Sequence, residues 1–109
     1  MEPAPEIDPA EAAEALAGGA LALDVREPDE WAAGRIAGAT LIPLGEVGAR
    51  LGELPRDRRV VVVCRTGSRS GYVADALHGA GFDAANLRGG LHLWVARGLP
   101  LDPADGYVL

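Results

Sequence analysis

The sequence predicts an α/β fold in which a parallel sheet is covered by helices on both faces. Three observations carry this. Val60-Val61-Val62-Val63 is a run of four β-branched residues with no polar alternation, the pattern of a strand buried on both sides. Strand-like and helical segments alternate along the chain, as crossovers between parallel strands require. Finally, the 109 residues suit one domain, and a 49% hydrophobic content can fill its core. A mainly disordered chain is excluded by the same numbers.

The elements follow in order. Residues 1–6, with Pro3 and Pro5, read as a loose tail. Asp8-Pro9-Ala10-Glu11 reads as a helix start, with Asp8 as cap, Pro9 in the first turn and Glu11 completing a capping box. Gly18-Gly19 stops that helix. The apolar run from Ala20 to Val25 is a buried strand, and Pro28 to Ala33 a short helix ended by Gly34. Ala39 to Ile42 is a second strand closed by Pro43. Leu44, Val47, Leu51 and Leu54 form a helical stripe despite Gly45 and Gly48. After Val60–Val63 and a tight loop at Gly67, Tyr72, Val73, Ala76, Leu77 and Ala80 recur at helical spacing up to Gly81. Phe82 to Leu87 carries a short strand, Gly89-Gly90 a turn, and Leu91 to Arg97 a last helix. No internal repeat or interdomain linker is visible, so residues 1–109 read as one domain.

Charge and composition narrow the function. The net charge is -6, a poor balance for general nucleic-acid binding. All ten basic residues are arginines, and Arg56, Arg58, Arg59, Arg65 and Arg69 crowd into fourteen positions. A local positive field in an acidic chain suits a small anionic substrate. Arg56, Arg58 and Arg59 alone read as a solvated turn. The apolar runs are too short to span a bilayer, and the acidic N-terminus has no apolar leader. One cysteine excludes an internal disulfide and a thiolate zinc cluster, and two histidines argue against a metal site. No cofactor and no membrane or nucleic-acid partner is expected, and the location expected is cytoplasmic.

Cys64 directly follows the central strand, where ligands bind in such folds. The segment Cys64-Arg65-Thr66-Gly67-Ser68-Arg69-Ser70-Gly71 leads into a helix. A strand, tight loop and helix N-terminus form an anion-binding arrangement, with backbone N–H groups turned into one concavity. Gly67 permits a positive φ, and Ser68 or Ser70 can cap the helix or donate from a hydroxyl. The helix N-terminus, Arg65 and Arg69 would lower the thiol pKa from about 8.5 into the range 3.5–7.5. The thiolate is the attacking form, so no separate general base is needed. Arginine suits an oxyanion because its planar fork binds two oxygens at once. A core cysteine would call for none of these neighbours. The loop lacks the Gly-Lys-Ser/Thr end of a nucleotide P-loop.

These residues resemble the rhodanese family of sulfurtransferases. Leu23-Asp24-Val25-Arg26-Glu27, Glu30-Trp31, Gly34-Arg35-Ile36-Ala37-Gly38-Ala39 and Ile42-Pro43 look like its first signature. Leu87-Arg88-Gly89-Gly90 with Trp94 looks like its C-terminal signature. With the cysteine loop, the resemblance covers about Leu23 to Pro100. It implies a parallel sheet of about five strands between helices. It also implies that Cys64 takes a sulfane sulfur from thiosulfate or a persulfide donor and passes it to cyanide, a thiol or a protein. Arg65 and Arg69 would hold the anionic donor, and the loop N–H groups from Arg65 to Ser70 would stabilise the terminal sulfur. The alternative is a sulfur-relay carrier serving a donor or acceptor protein with little small-molecule turnover. Four residues separate Cys64 from Arg69. Related phosphatases have a loop one residue longer, which disfavours phosphatase or arsenate chemistry here. Arg35 stands where the family usually has His, and Thr40 where it often has Asn.

Other residues receive structural readings. Asp24 ends a strand on the same sheet edge as Cys64 and either orients the loop or pairs with an arginine. Arg26 reads as an ion-pair partner of Glu27 or Glu30. Trp31 and Trp94 read as core anchors, with Trp94 near the site as a lesser possibility. His78 and His92 read as ordinary surface histidines.

Overall fold

The computed structural model describes residues 2–109. Its strands are Glu6–Ile7 (β1), Leu21–Asp24 (β2), Thr40–Leu41 (β3), Val60–Val63 (β4) and Ala84–Leu87 (β5). All pair in parallel, in the order β1-β5-β4-β2-β3. The helices are Pro9–Ala17 (α1), Pro28–Ala33 (α2), Ser68–Gly79 (α3) and Gly90–Ala96 (α4). The predicted parallel sheet with helices on both faces is therefore present.

Strand β4 lies at the centre because its four valines can be buried on both sides, and all four are at most 1% exposed. Val60 and Val62 face one core layer with Leu23, Val25, Val73, Leu77 and Phe82. Val61 and Val63 face the other, with Ile7, Ala12, Leu91 and Trp94. Helix α3 thus covers one face, and α1 and α4 the other. Each buried valine contributes roughly 1.5–3 kcal/mol by transfer from water.

The capping box of α1 forms as expected: Glu11 N–H donates to Asp8 Oδ1 at 2.9 Å, and Asp8 N–H to Glu11 Oε1 at 3.1 Å. The stripe from Leu44 to Leu54 is not one helix but two 3-10 segments, Leu44–Glu46 and Gly48–Glu53, kinked at Arg50. Gly45, Gly48 and Gly52 weaken α-helix propagation there. The stripe still faces the core, with Val47 and Leu54 buried. The second strand is shorter than expected and ends before Pro43, which has no N–H to extend a ladder.

The reading of residues 1–6 as a loose tail is corrected for the described part; Met1 lies outside the described residues. Ala4 is buried and its N–H donates to Asp75 Oδ1 at 2.8 Å. Glu6 belongs to β1, which is anchored by Asn86 N–H to Pro5 O and by Arg88 N–H to Ile7 O, both 2.8 Å. A two-residue edge strand has too little local pattern to be read from propensity; its hydrogen bonds come from β5.

The C-terminal segment packs back on α2. Arg35 and Asp102 exchange backbone hydrogen bonds at 3.1 and 2.7 Å, and Tyr107 N–H donates to Ala33 O. A side chain at Gly34 would lie 2.8 Å from the Tyr107 backbone, so this close approach requires glycine. Arg35 stacks over Trp31 at 5.0 Å, and its Nη1 donates to Trp31 O. Trp31 is consequently half-buried against a cation and is not the core anchor expected of it. Trp94 is a core anchor, 4% exposed, with Nε1 donating to Pro100 O.

Candidate active site

Strand β4 ends at Val63, and Cys64 begins the turn into α3. The position follows from the sheet: Val63 pairs with Asp24 of β2, and the N–H of Val25 bonds Val63 O at 3.0 Å. On the other side, the start of α4 donates to the same turn. Leu91 N–H bonds Cys64 O at 2.9 Å, and His92 N–H bonds Arg65 O at 3.0 Å. A Cβ on Gly90 would sit 2.5 Å from Arg65 O, so α4 can approach the loop this closely only through glycine.

The loop folds its donors around the sulfur. Gly67 has φ +102°, a value that side chains disfavour. That turn directs its N–H to Cys64 Sγ at 3.1 Å. Ser70 Oγ donates to the same sulfur at 3.2 Å. Burial pushes the thiol pKa up, but the Ser70 hydroxyl and the N–H groups of Ser70, Gly67 and Thr66 outweigh it. The net result is a thiol held below its ordinary value. Cys64 is only 1% exposed.

Of the two roles expected for the serines, capping is not seen, and hydroxyl donation is what Ser70 does. Gly67 is the cap residue of α3 and no side chain caps it. Ser70 turns inward to Cys64, while Ser68 lies exposed on the first turn. Arg65 and Thr66 are exposed beside the sulfur.

The arginine cluster divides. Arg56, Arg58 and Arg59 precede β4, at the end of the sheet opposite Cys64. Arg56 bonds Ala80 O and stacks on Phe82, Arg58 bonds Gly19 O, and Arg59 pairs with Asp83. Only Arg65 and Arg69 belong to the loop. Arg69 is not a free anion clamp: its Nη1 and Nη2 donate to the two oxygens of Glu30 at 2.7 and 2.8 Å. The Arg69 hydrogen bonds hold the Glu30 carboxyl down at about 2, against a burial effect that raises it.

Asp24 and Arg26 form a buried pair at the end of β2, 1% and 0% exposed. Arg26 Nε and Nη2 donate to Asp24 at 2.8–3.1 Å, and Nη2 also donates to Gly34 O at 2.8 Å. The predicted partner of Arg26, a Glu27 or Glu30 side chain, is corrected to Asp24; from Glu30 it reaches only the carbonyl, at 3.3 Å. Within the fully buried site the nearer carboxylate wins, because it also accepts the Arg26 N–H at 3.1 Å.

Sequence reasoning missed Asn86. Its Nδ2 donates to Gly67 O at 3.1 Å and to Glu6 Oε2 at 2.6 Å. It therefore grips the peptide that follows the Gly67 N–H on Cys64. Its Oδ1 is buried without a partner among the described residues. The available signal was a polar residue inside the apolar strand Ala84-Ala85-Asn86-Leu87.

Residues 8–97 match the rhodanese-like domain family. The chain belongs to this family. A sulfurtransferase of Allochromatium vinosum is 39% identical over 87 residues, covering 79% of this chain and 81% of that protein. A thiosulfate sulfurtransferase of Pseudomonas entomophila is 36% identical over 89 residues, covering 81% and 82%. The chain also matches a larger adenylyltransferase/sulfurtransferase of Mycobacterium tuberculosis at 43% identity over 81 residues, but spans only 21% of its length. Among solved structures, a rhodanese-related protein of Thermoplasma volcanium superposes with TM-score 0.84 at 32% identity, covering 89% of this chain and 96% of that one. No helix among the described residues is long and apolar enough to cross a membrane.

Proposed function

We propose that the 109 residues act as one rhodanese-like unit that moves a sulfane sulfur through a persulfide on Cys64, in the cytoplasm, where an unpaired thiol stays reduced. The observation that carries this reading is the convergence of the Gly67 N–H and the Ser70 hydroxyl on a single buried sulfur. The same donors that stabilise a thiolate would stabilise the outer sulfur of a persulfide.

The steps balance. The Cys64 thiolate attacks the outer sulfur of a donor, thiosulfate or an organic persulfide. A sulfur–sulfur bond forms to Sγ. The donor's own sulfur–sulfur bond breaks, and sulfite or a thiolate leaves with the electron pair. A thiophile, which is cyanide, a thiol or an acceptor protein, then attacks the outer sulfur and returns the thiolate. Arg65 and Arg69, with the loop from Thr66 through Ser68 to Ser70, surround the donor; Asp24 and Arg26 fix the end of β2 against α2, which carries Glu30. No step calls for a metal or cofactor, and no nucleic-acid or membrane partner is proposed.

A relay reading, in which a protein supplies or removes the sulfur, is favoured by one observation: Glu30 occupies both terminal nitrogens of Arg69. Intact-protein mass after thiosulfate, then after cyanide, tests the proposal. Gain of one sulfur on Cys64 and its release as thiocyanate supports turnover on small molecules. Gain without release supports the relay. No gain from thiosulfate or from any persulfide refutes both.

A further inference from the structure

We propose that Glu30 is a specificity-determining residue that, by covering Arg69, tunes the site to sulfane-sulfur donors carrying one negative charge, such as organic persulfides, over the thiosulfate dianion. The inference rests on the proposed sulfur transfer at Cys64 and names the donor class for it.

The charges around the loop carry the argument. Two guanidinium groups belong to the cysteine loop. Arg69 is bound at both terminal nitrogens by both oxygens of Glu30, so the pair presents no net charge and its end-on fork is taken. A donor oxyanion could claim that fork only by displacing a carboxylate already in place. Glu30 is itself fixed: its Oε1 also accepts the Glu27 N–H at 3.0 Å, and its carbonyl accepts from Arg26. The Glu30 side chain is 14% exposed and that of Arg69 37%, so water reaches the pair mainly from the arginine side. At the end of β2, Arg26 and Asp24 cancel one another in the same way. Arg65 remains as the loop cation with no side-chain partner among the described residues. Arg65 balances the Cys64 thiolate, so an incoming donor meets only neutral N–H groups, which disfavour a dianion more than a monoanion. They leave the second charge of a dianion, and the developing charge of sulfite as it leaves, without a counter-ion.

Glu30→Gln removes the covering charge while keeping nearly the same shape. The test compares the rate of Cys64 persulfide formation from two donors of the same chemistry, dianionic thiosulfate and the monoanionic methanethiosulfonate. Measuring a ratio within each variant cancels any loss of folded protein. In Glu30→Gln the thiosulfate-to-methanethiosulfonate ratio is expected to rise about tenfold. That is the effect of uncovering one unit charge roughly 6 Å from the donor in a half-exposed site. Glu30→Asp, which keeps the charge, should hold the wild-type ratio. The double variant Glu30→Gln/Arg69→Gln should lose the gain. An unchanged ratio in Glu30→Gln, or a gain that survives loss of Arg69, overturns the proposal while sulfur transfer at Cys64 stands. Failure of every variant, wild type included, to take up sulfur from either donor instead overturns the functional reading beneath it.

Discussion

Replacing Arg26 by methionine keeps the volume of the side chain and removes its charge. Asp24 would then remain buried with one N–H donor, that of residue 26, in place of three further bonds from the guanidinium. Breaking a buried pair on one side costs about 3–5 kcal/mol, because the remaining charge is stranded. In a chain of 109 residues each kcal/mol shifts the melting temperature by about 4 °C, so the midpoint should fall by roughly 12–20 °C. Removing both charges, as in Asp24→Leu/Arg26→Met, should recover most of this. A deficit of about 1–2 kcal/mol would persist, since the carbonyls of Gly34 and Glu30 lose their donor. Thermal or urea unfolding of wild type, both single variants and the double variant reads the coupling directly. A cost below about 1 kcal/mol for Arg26→Met, or a double variant no more stable than the single, would refute the argument that pairing holds this region. If the pair serves only as scaffold, the pH midpoint of Cys64 alkylation should be the same in the folded double variant and in wild type.

Three further outcomes are expected. The rate of Cys64 alkylation by iodoacetamide should titrate below the free-thiol value of about 8.5, and Ser70→Ala should move the midpoint upward; a wild-type midpoint at 8.5 would remove the activated thiolate. Asn86→Ala should raise the same midpoint through the freed Gly67 peptide. It should cost less than about 2 kcal/mol of stability, because the unpartnered Oδ1 leaves together with the two bonds of Nδ2. Equal alkylation profiles would show that the Asn86 bond does not position the loop. The third outcome concerns acid. The Glu30 carboxyl titrates lower in the folded chain, at about 2, than when unfolded, so its stabilisation is complete above pH 4.5 and is lost as pH falls toward 2. With solvent screening it amounts to about 1–2 kcal/mol. The stability gap between wild type and Glu30→Gln, measured in urea across that window, should therefore be widest above pH 5 and close near pH 2.

Much of this protein could be read before it folded. Val60–Val63 announces a strand buried on both faces because it offers no polar side to water. Pro9, Asp8 and Glu11 announce a helix start because capping is satisfied within four residues. The cysteine loop is equally local: the strand, Gly67 and the helix that follows place the sulfur and its N–H donors within seven positions. The partners of the charged side chains were not legible. Arg69 and Glu30 lie thirty-nine positions apart, and only the packing of α2 against the loop brings their charges together. The five clustered arginines suggest a local positive field, although three of them read as a solvated turn; β4 runs between them and sends those three to one end of the sheet and two to the other. Glu6 and Asn86 are eighty positions apart, joined by parallel pairing of β1 with β5. Backbone propensity and short-range spacing determine where the thiol stands. Which charges surround it is decided by the tertiary structure, because ion pairing acts through space and is indifferent to position along the chain.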